Sequence, residues 1–227
     1  MSDQSESGGE DQQNVLMVSG GKDSTYLIKY CLENGIPIDR CVFFDTTLHL
    51  PLVYDWIDEL EQQFGIQIDR VKPKWDFEEK FYQVHEEGND AGEIWGFPYV
   101  STPCWIRRDL KVNNEQIDGT AVLGYTADEP DRDLQRDYIA PLRDNNITAG
   151  MVVNRLKEAE LYPPLYDLLE RYGIKKPRSG CYLCPKAPIG WFRMLYHEFP
   201  EYWEQTKEYA EDDPKQFRTR ITIDELE

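Results

Sequence analysis

The sequence predicts an α/β fold: a doubly wound parallel sheet followed by a C-terminal, mainly helical extension that bears cysteines. Three observations carry this. Short apolar runs, Val15-Leu16-Met17-Val18 and Cys41-Val42-Phe43-Phe44, read as strands buried on both faces. Segments with helical spacing, 23–34 and 52–64, alternate with those runs. From Pro141 onward the strand pattern gives way to proline-punctuated helical segments at 151–159, 164–172 and 188–209.

The elements follow in order. Residues 1–13 lack apolar periodicity and predict a disordered tail. The first strand runs into Ser-Gly-Gly, a tight turn, and the helix after it stops at Gly35. The second strand ends at Asp45-Thr46, and Gly65 closes its following helix. Residues 66–71 make a third strand, and Ala121-Val122-Leu123-Gly124 a further one that ends in Tyr-Thr-Ala-Asp-Glu-Pro-Asp-Arg. Polar residues thus collect at three strand ends, where open α/β sheets bind ligands. The organisation read from this is a nucleotide-binding core at 14–140, a helical extension with CxxC at 141–210 and a charged, peripheral acidic arm at 211–227.

Bulk properties narrow the classes. At 227 residues the chain suits one domain with an extension. No run of 18 apolar residues occurs, and the N-terminus is polar and acidic, so the expectation is a cytoplasmic protein with no membrane span. A net charge of −18 argues against a broad basic surface for nucleic acid, which would need a local patch or a partner. Five cysteines, an odd number, point to ligand or redox chemistry rather than a disulfide framework.

The segment Ser19-Gly20-Gly21-Lys22-Asp23-Ser24-Thr25 joins a strand to a helix. Such a turn offers a polyphosphate close backbone approach, N–H donors, hydroxyls and a positive helix end. It lacks the spacing of a Walker A loop and of a dinucleotide fingerprint. Ser19, Gly20, Gly21, Asp23, Ser24 and Thr25 are the phosphate-loop candidates. Lys22 faces the polyphosphate or solvent, and Asp23 suits Mg²⁺, which bridges phosphates through one or two carboxylates.

SGGKDS resembles the SGGxDS signature of the PP-loop ATP pyrophosphatases, which have an adenine nucleotide α-hydrolase-like fold and cut ATP between its α and β phosphates. Further segments, spread over most of 14–200, resemble the phosphoadenosine phosphosulfate reductase branch. Phe43-Phe44-Asp45-Thr46 with Leu50-Pro51 is similar to the family's second-strand segment, which implies Asp45 and Thr46 near the nucleoside. Gly124 to Arg132 resembles G-x-R-x-x-E-S-x-x-R, with Thr126 in place of the first arginine; this weakens the case for an additional 3′-phosphate or sulfate and leaves Arg132 available. Pro164-Leu165-Tyr166-Asp167 and Ser179 to Pro185 resemble P-L-Y-D and S-x-G-C-x-x-C-T. The stretch Pro103 to Lys111 resembles a Cys-x-x-x-R-K segment, which implies that at least one of Arg107, Arg108 and Lys111 contacts phosphate. The catalytic candidates are therefore Lys22, Asp23, Arg107, Arg108, Lys111 and Arg132.

Cys181 and Cys184 form a CxxC turn that Cys104 is able to join in space as a third soft metal ligand. The arrangement resembles iron–sulfur adenylylsulfate reductases, with Pro103 standing where a paired cysteine would be. Three cysteines on a [4Fe–4S] cluster leave one iron without a cysteine ligand. Zinc held by the three with a fourth ligand such as His197 is the alternative. A redox pair or packed thiols also suit a lone CxxC. Cys31 and Cys41 sit in apolar patterns and read as core residues.

No cysteine follows Cys184, so the Glu-Cys-Gly-x-His nucleophile of thiol-dependent reductases has no counterpart in this sequence. The first expectation is a sulfur-transfer enzyme that binds ATP and Mg²⁺, adenylylates an acceptor and replaces AMP with sulfur. The resemblance implies a nucleic-acid acceptor of the thiolation or phosphorothioation type, delivered by a partner protein, and a sulfur donor protein. A phosphoadenylyl or adenylyl sulfate reductase acting on a sulfonucleotide, and a nucleotide-binding module with structural zinc, are the alternatives.

Overall fold

The computed structural model describes residues 13–88, 90–98, 103–108, 118–132, 137–213 and 217. Its centre is a five-stranded sheet in which every pairing is parallel, β1 (Asn14–Val18), β2 (Arg40–Phe44), β3 (Ile68–Val71), β4 (Thr120–Val122) and β5 (Tyr138–Ile139), in the order β3-β2-β1-β4-β5. The order reverses beside β1, the mark of a doubly wound sheet, and the crevice at such a reversal is where ligands sit. The expected α/β class is what the structure shows. β5, only two residues long, carried no apolar run and was not expected from the sequence.

The helices α1 (Lys22–Glu33) and α2 (Pro51–Phe64) connect the first three strands. α2 begins with a proline in its first turn, where no N–H partner is lost, and ends at Gly65 with φ of 63°. α3 (Phe77–Tyr82) starts at Asp76, whose carboxylate accepts from the Glu78 and Glu79 N–H groups at 2.8 and 3.4 Å. The short α4 (Trp105–Arg107) follows Cys104 directly.

The extension begins with α5 (Pro141–Asp144) and α6 (Ala149–Glu158), and α6 packs on α1, where Arg155 donates to the Tyr26 hydroxyl at 2.6 Å. α7 (Pro164–Arg171), α8 (Ile189–Glu198) and α9 (Pro200–Asp212) complete it. One helix was expected over 188–209, and two are found. Pro200 holds Phe199 out of the helical region, at φ −138° and ψ 62°, and so divides the segment.

One apolar cluster unites Leu16, Val18, Phe43 and Val122 of the sheet with Leu27 of α1, Ile57 of α2, Leu156 of α6, Leu169 of α7 and Phe192 of α8. The extension therefore shares the core of the sheet. The expectation of a wholly peripheral arm after residue 210 needs correction: Phe217 is buried, with its ring 4.8 Å from Phe97 and 5.7 Å from Phe192. An aromatic side chain gains too much by burial to stay in water when a matching cavity is near. Residues 1–12, 214–216 and 218–227 of the expected tail and arm lie outside the described residues. No described helix is long and apolar enough to cross a membrane.

Cys31 and Cys41 are core residues, as their apolar surroundings suggested. Burial pushes both thiols up from an ordinary 9.0 to about 11. A raised folded-state value means stability is fully present below pH 9.0 and is lost as pH rises through 11, because the unfolded thiols ionise first. Iodoacetamide at neutral pH is expected to modify Cys104, Cys181 and Cys184 in the folded, metal-free protein and to leave Cys31 and Cys41 unmodified, as read by peptide mass spectrometry. Modification of Cys31 or Cys41 at a rate comparable to the others would contradict this packing.

Candidate active site

Three loops leave the carboxyl ends of β1, β2 and β4 on the same side of the sheet. The first is Ser19-Gly20-Gly21 and the start of α1. Gly20 has a φ of +65°, and a Cβ there would lie 2.7 Å from Val53 Cγ1, so the turn both bends and packs in a way that only glycine permits. The Ser19 N–H donates to Ser24 Oγ at 3.1 Å, and that hydroxyl donates to the Gly21 carbonyl at 3.0 Å. Ser24 thus fixes the shape of the loop from inside. No side chain caps α1 at Gly21, which leaves the helix its positive end for an anion.

Lys22 and Asp23 form an ion pair with each other. Burial raises the Asp23 carboxyl above its usual range, against the lowering pull of Lys22; Glu129 raises it further and Arg132 lowers it. Those last two effects place the loop after β4 beside the phosphate loop. Gly124 makes the approach possible, since a Cβ there would stand 3.0 Å from the Asp23 carbonyl oxygen. Arg132 itself stacks 4.4 Å over the Tyr125 ring and pairs with Glu129 at 2.5 Å. Thr126 is buried, so no cation stands at that position of the loop.

After β2, Asp45 accepts from the Thr47 N–H at 2.8 Å and the Tyr54 hydroxyl at 2.7 Å. The Thr46 hydroxyl is buried with no hydrogen-bond partner among the described residues, a rare state for such a group. Thr25 turns inward, where its hydroxyl accepts from the Trp56 indole at 3.0 Å, so it braces α1 against α2 rather than lining the mouth of the loop. His49 is buried between Phe43 and Tyr54, with ring centroids 5.1 and 5.9 Å away.

Two residues of the stretches that resemble P-L-Y-D and S-x-G-C-x-x-C-T cover this loop from the extension, a role the sequence did not assign to them. Tyr166 of α7 is buried with its hydroxyl facing the backbone N–H of Lys22, and the Ser179 N–H points to the same oxygen at 3.3 Å. Ser179 Oγ donates to the Ser19 carbonyl at 3.1 Å, across 160 residues of sequence. Burial raises the Tyr166 phenol, and the Asp23 carboxylate adds to the rise. Pro164-Leu165-Tyr166-Asp167 was legible as a helix start and as a likeness to the P-L-Y-D motif, but the contact of its tyrosine was not, because the partner is far away in sequence.

The cysteine turn follows at once. Cys184 N–H donates to the Cys181 carbonyl at 3.3 Å, and the Tyr182 N–H donates to the Leu48 carbonyl at 2.9 Å. The turn is thereby tied to the loop after β2 as well as to the phosphate loop. Burial raises the Cys184 thiol and the charge of Cys104 adds to this, while the N–H groups of Lys186 and Ala187 and the Lys186 ammonium favour the thiolate. Cys104 therefore stands within electrostatic range of Cys184.

No three His, Cys, Asp or Glu residues among those described gather closely enough to hold an ion, and His197 stacks on Tyr172 at 6.2 Å. Tetrahedral zinc with sulfurs at about 2.3 Å takes its ligands in mutual contact, whereas a cluster of several irons spreads its cysteines further apart. Two N–H groups directed at a sulfur favour a thiolate ligand, and Cys184 has such groups in Lys186 and Ala187.

Arg107 and Arg108 are exposed on and just after α4, next to Cys104. Lys111 lies outside the described residues.

Known proteins are similar to parts of this chain. Residues 13–91 match the phosphoadenosine phosphosulfate reductase domain. An uncharacterized protein of Methanocaldococcus jannaschii is 28% identical over 211 residues, which cover 87% of this chain and 42% of that protein; the chain thus spans less than half the length of this relative. Among solved structures, a phosphoadenylyl-sulfate reductase from Candida auris in its phosphate complex superposes with a TM-score of 0.48 at 17% identity, covering 74% of this chain and 81% of its own. The U34-tRNA thiolase NcsA from Methanococcus maripaludis, with its [4Fe-4S] cluster, gives 0.40 at 16% identity, covering 88% of this chain and 71% of its own. The residues that match the phosphoadenosine phosphosulfate reductase domain are those that supply β1, the SGGKDST loop, β2 and β3, so the likeness lies in the first part of the sheet and its phosphate loop.

Proposed function

We propose that the protein is an ATP-dependent enzyme that cleaves ATP between its α and β phosphates to adenylylate an acceptor, and then passes sulfur to that acceptor. The observation that carries this reading is the Ser179–Ser19 hydrogen bond, which sets the cysteine turn two residues from the phosphate loop. A nucleotide-binding loop and a thiol pair so closely tied suit a reaction in which activation and sulfur delivery meet at one centre.

The loop N–H groups and the α1 N-terminus hold the polyphosphate, and Asp23 with Mg²⁺ neutralises its charge. Asp45, Thr46 and Gly124 flank the nucleoside, where the solitary Thr46 hydroxyl finds a polar partner. The acceptor oxygen attacks the α-phosphorus, the bond to the bridging oxygen breaks and pyrophosphate leaves. Lys22 and Arg132 stabilise the charge that develops on phosphate, with Arg107 and Arg108 beside Cys104 as further cations; Lys111, expected to join them, lies outside the described residues. The adenylylated carbon or phosphorus now has AMP as its leaving group, and a sulfur nucleophile displaces it.

A [4Fe–4S] cluster bound by Cys104, Cys181 and Cys184 would supply an iron that carries that sulfur, brought by a donor protein. ATP is preferred over a sulfonucleotide in this reading because Thr126 offers no cation for a 3′-phosphate or sulfate.

Calorimetry is expected to show Mg²⁺–ATP binding more tightly than adenylyl sulfate or phosphoadenylyl sulfate. Ser24→Ala, which frees the Ser19 N–H and loosens the loop, is expected to weaken ATP binding by about tenfold, the worth of roughly 1.4 kcal/mol. Anaerobic iron and sulfide analysis, with an absorption spectrum repeated on Cys104→Ala, reads the cluster. Thiol-dependent release of sulfite from a sulfonucleotide would overturn sulfur transfer in favour of reduction.

A further inference from the structure

The charge of this chain is distributed unevenly. Residues 171–197 contain no aspartate or glutamate, although the whole chain carries 43 acidic residues and a net charge of −18. The same stretch holds Arg171, Lys175, Lys176, Arg178, Lys186 and Arg193, and all six are exposed. The acid-free segment begins just after Glu170, ends just before Glu198 and has the CxxC turn within it.

Two parts of this segment form one surface. Lys175, Lys176 and Arg178 lead directly into Ser179, which is bonded to the phosphate loop. On α8, Ile189, Arg193, Tyr196 and His197 are all exposed and recur at i, i+4, i+7 and i+8, so they line one side of the helix. Tyr196 is 44% exposed and Ile189 39%, unusual for side chains of their size. His197 stacks on Tyr172, three residues before Lys175, which brings the helix face next to the lysine run. None of Lys175, Lys176, Arg178 and Arg193 is in an ion pair with a described residue.

A neutralised cation serves the fold; four exposed cations without an acidic partner among the described residues, in a chain so rich in carboxylates, are available to something outside it. We propose that this cationic and aromatic face binds single-stranded nucleic acid and leads it to the cysteine turn and phosphate loop, so that nucleic acid is the acceptor. The charge complements phosphates, and an exposed tyrosine beside arginine is a platform on which an unpaired base stacks, a feature that an acidic protein partner would not use. The negative remainder of the molecule repels the strand elsewhere and confines binding to this face. The inference rests on the reading of the protein as an acceptor-adenylylating enzyme, but the surface is tested separately from it.

The experiment measures fluorescence anisotropy of labelled single-stranded RNA and DNA of one mixed sequence with the full chain, across a range of salt concentrations, while calorimetry follows Mg²⁺–ATP binding in the same samples. Binding is expected to fall linearly on a log–log plot as salt rises. Lys175→Glu combined with Lys176→Glu is expected to weaken it by about tenfold or more and to flatten the slope, and Tyr196→Ala to weaken it by about tenfold with the slope kept. Both variants should bind Mg²⁺–ATP as the parent does, which also reports that they are folded. The RNA and DNA arms show which polymer is preferred.

Absence of binding by the parent protein, or equal binding by the Lys175/Lys176 variant, overturns the surface and leaves ATP chemistry standing. Competition by polyglutamate as strong as by nucleic acid, with Tyr196→Ala without effect, overturns it in favour of an acidic protein partner. Loss of ATP binding in the parent instead removes the enzymatic reading and leaves the surface to its own result.

Discussion

Asp23→Asn is expected to lower pyrophosphate release from Mg²⁺–ATP by at least about a hundredfold while leaving the fold at least as stable as before. The two halves of this expectation have one cause. Burial raises the Asp23 carboxyl, so folding works against its charged form, and Asn relieves that penalty without changing the shape of the side chain. In the proposed reaction the carboxylate is retained at a cost in stability for a metal ion bridging phosphates, and such an ion contributes several kcal/mol to charge stabilisation in the transition state. Pyrophosphate assays paired with thermal unfolding check both halves. A variant that loses activity and also unfolds at a lower temperature would make Asp23 a structural residue; unchanged activity would remove it from catalysis.

Gly20→Ala is expected to have the next largest effect, through geometry rather than charge. Its φ of +65° disfavours any residue with a Cβ, and that Cβ would lie 2.7 Å from Val53 Cγ1 on α2. A strained conformation of this kind costs on the order of 1–3 kcal/mol, and the clash adds to it. The melting temperature should fall by about 2–4 °C for each kcal/mol in a chain of this size, and the stabilisation that Mg²⁺–ATP gives should shrink because the loop has moved. Gly35 is the natural control: its φ is +64° but nothing lies within 4 Å of a Cβ there, so Gly35→Ala shows the backbone cost alone. Equal melting temperatures for the two variants would mean that contact with Val53 does not shape the loop. A further substitution, Val53→Ala on top of Gly20→Ala, should recover only the part due to the clash.

The places where reading from residues failed share a physical character. Pro200 divides the last helical segment because it removes an N–H and restricts Phe199, yet its neighbours keep a helical apolar pattern that hides the break. Phe217 stands among charged residues and reads as part of an exposed arm, but its ring fits between Phe97 and Phe192. Thr25 belongs to the SGGKDST run, but its rotation about α1 turns it toward Trp56.

By itself the sequence determined what is encoded over short range: the buried runs of β1 and β2, the turn that only glycines permit, the helix that follows it, and the CxxC pair. These depend on side-chain period and backbone sterics within a few residues, which hold in any surroundings. The tertiary structure alone decided that Tyr166 and Ser179 close over Ser19 and Gly21, that Leu48 anchors the cysteine turn, and that Cys104 comes within electrostatic range of Cys184. Those contacts join segments up to 160 residues apart, and they form because one shared apolar core fixes where the extension lies against the sheet. No local pattern records such a placement, since it is the burial of whole helices that brings these few polar atoms together.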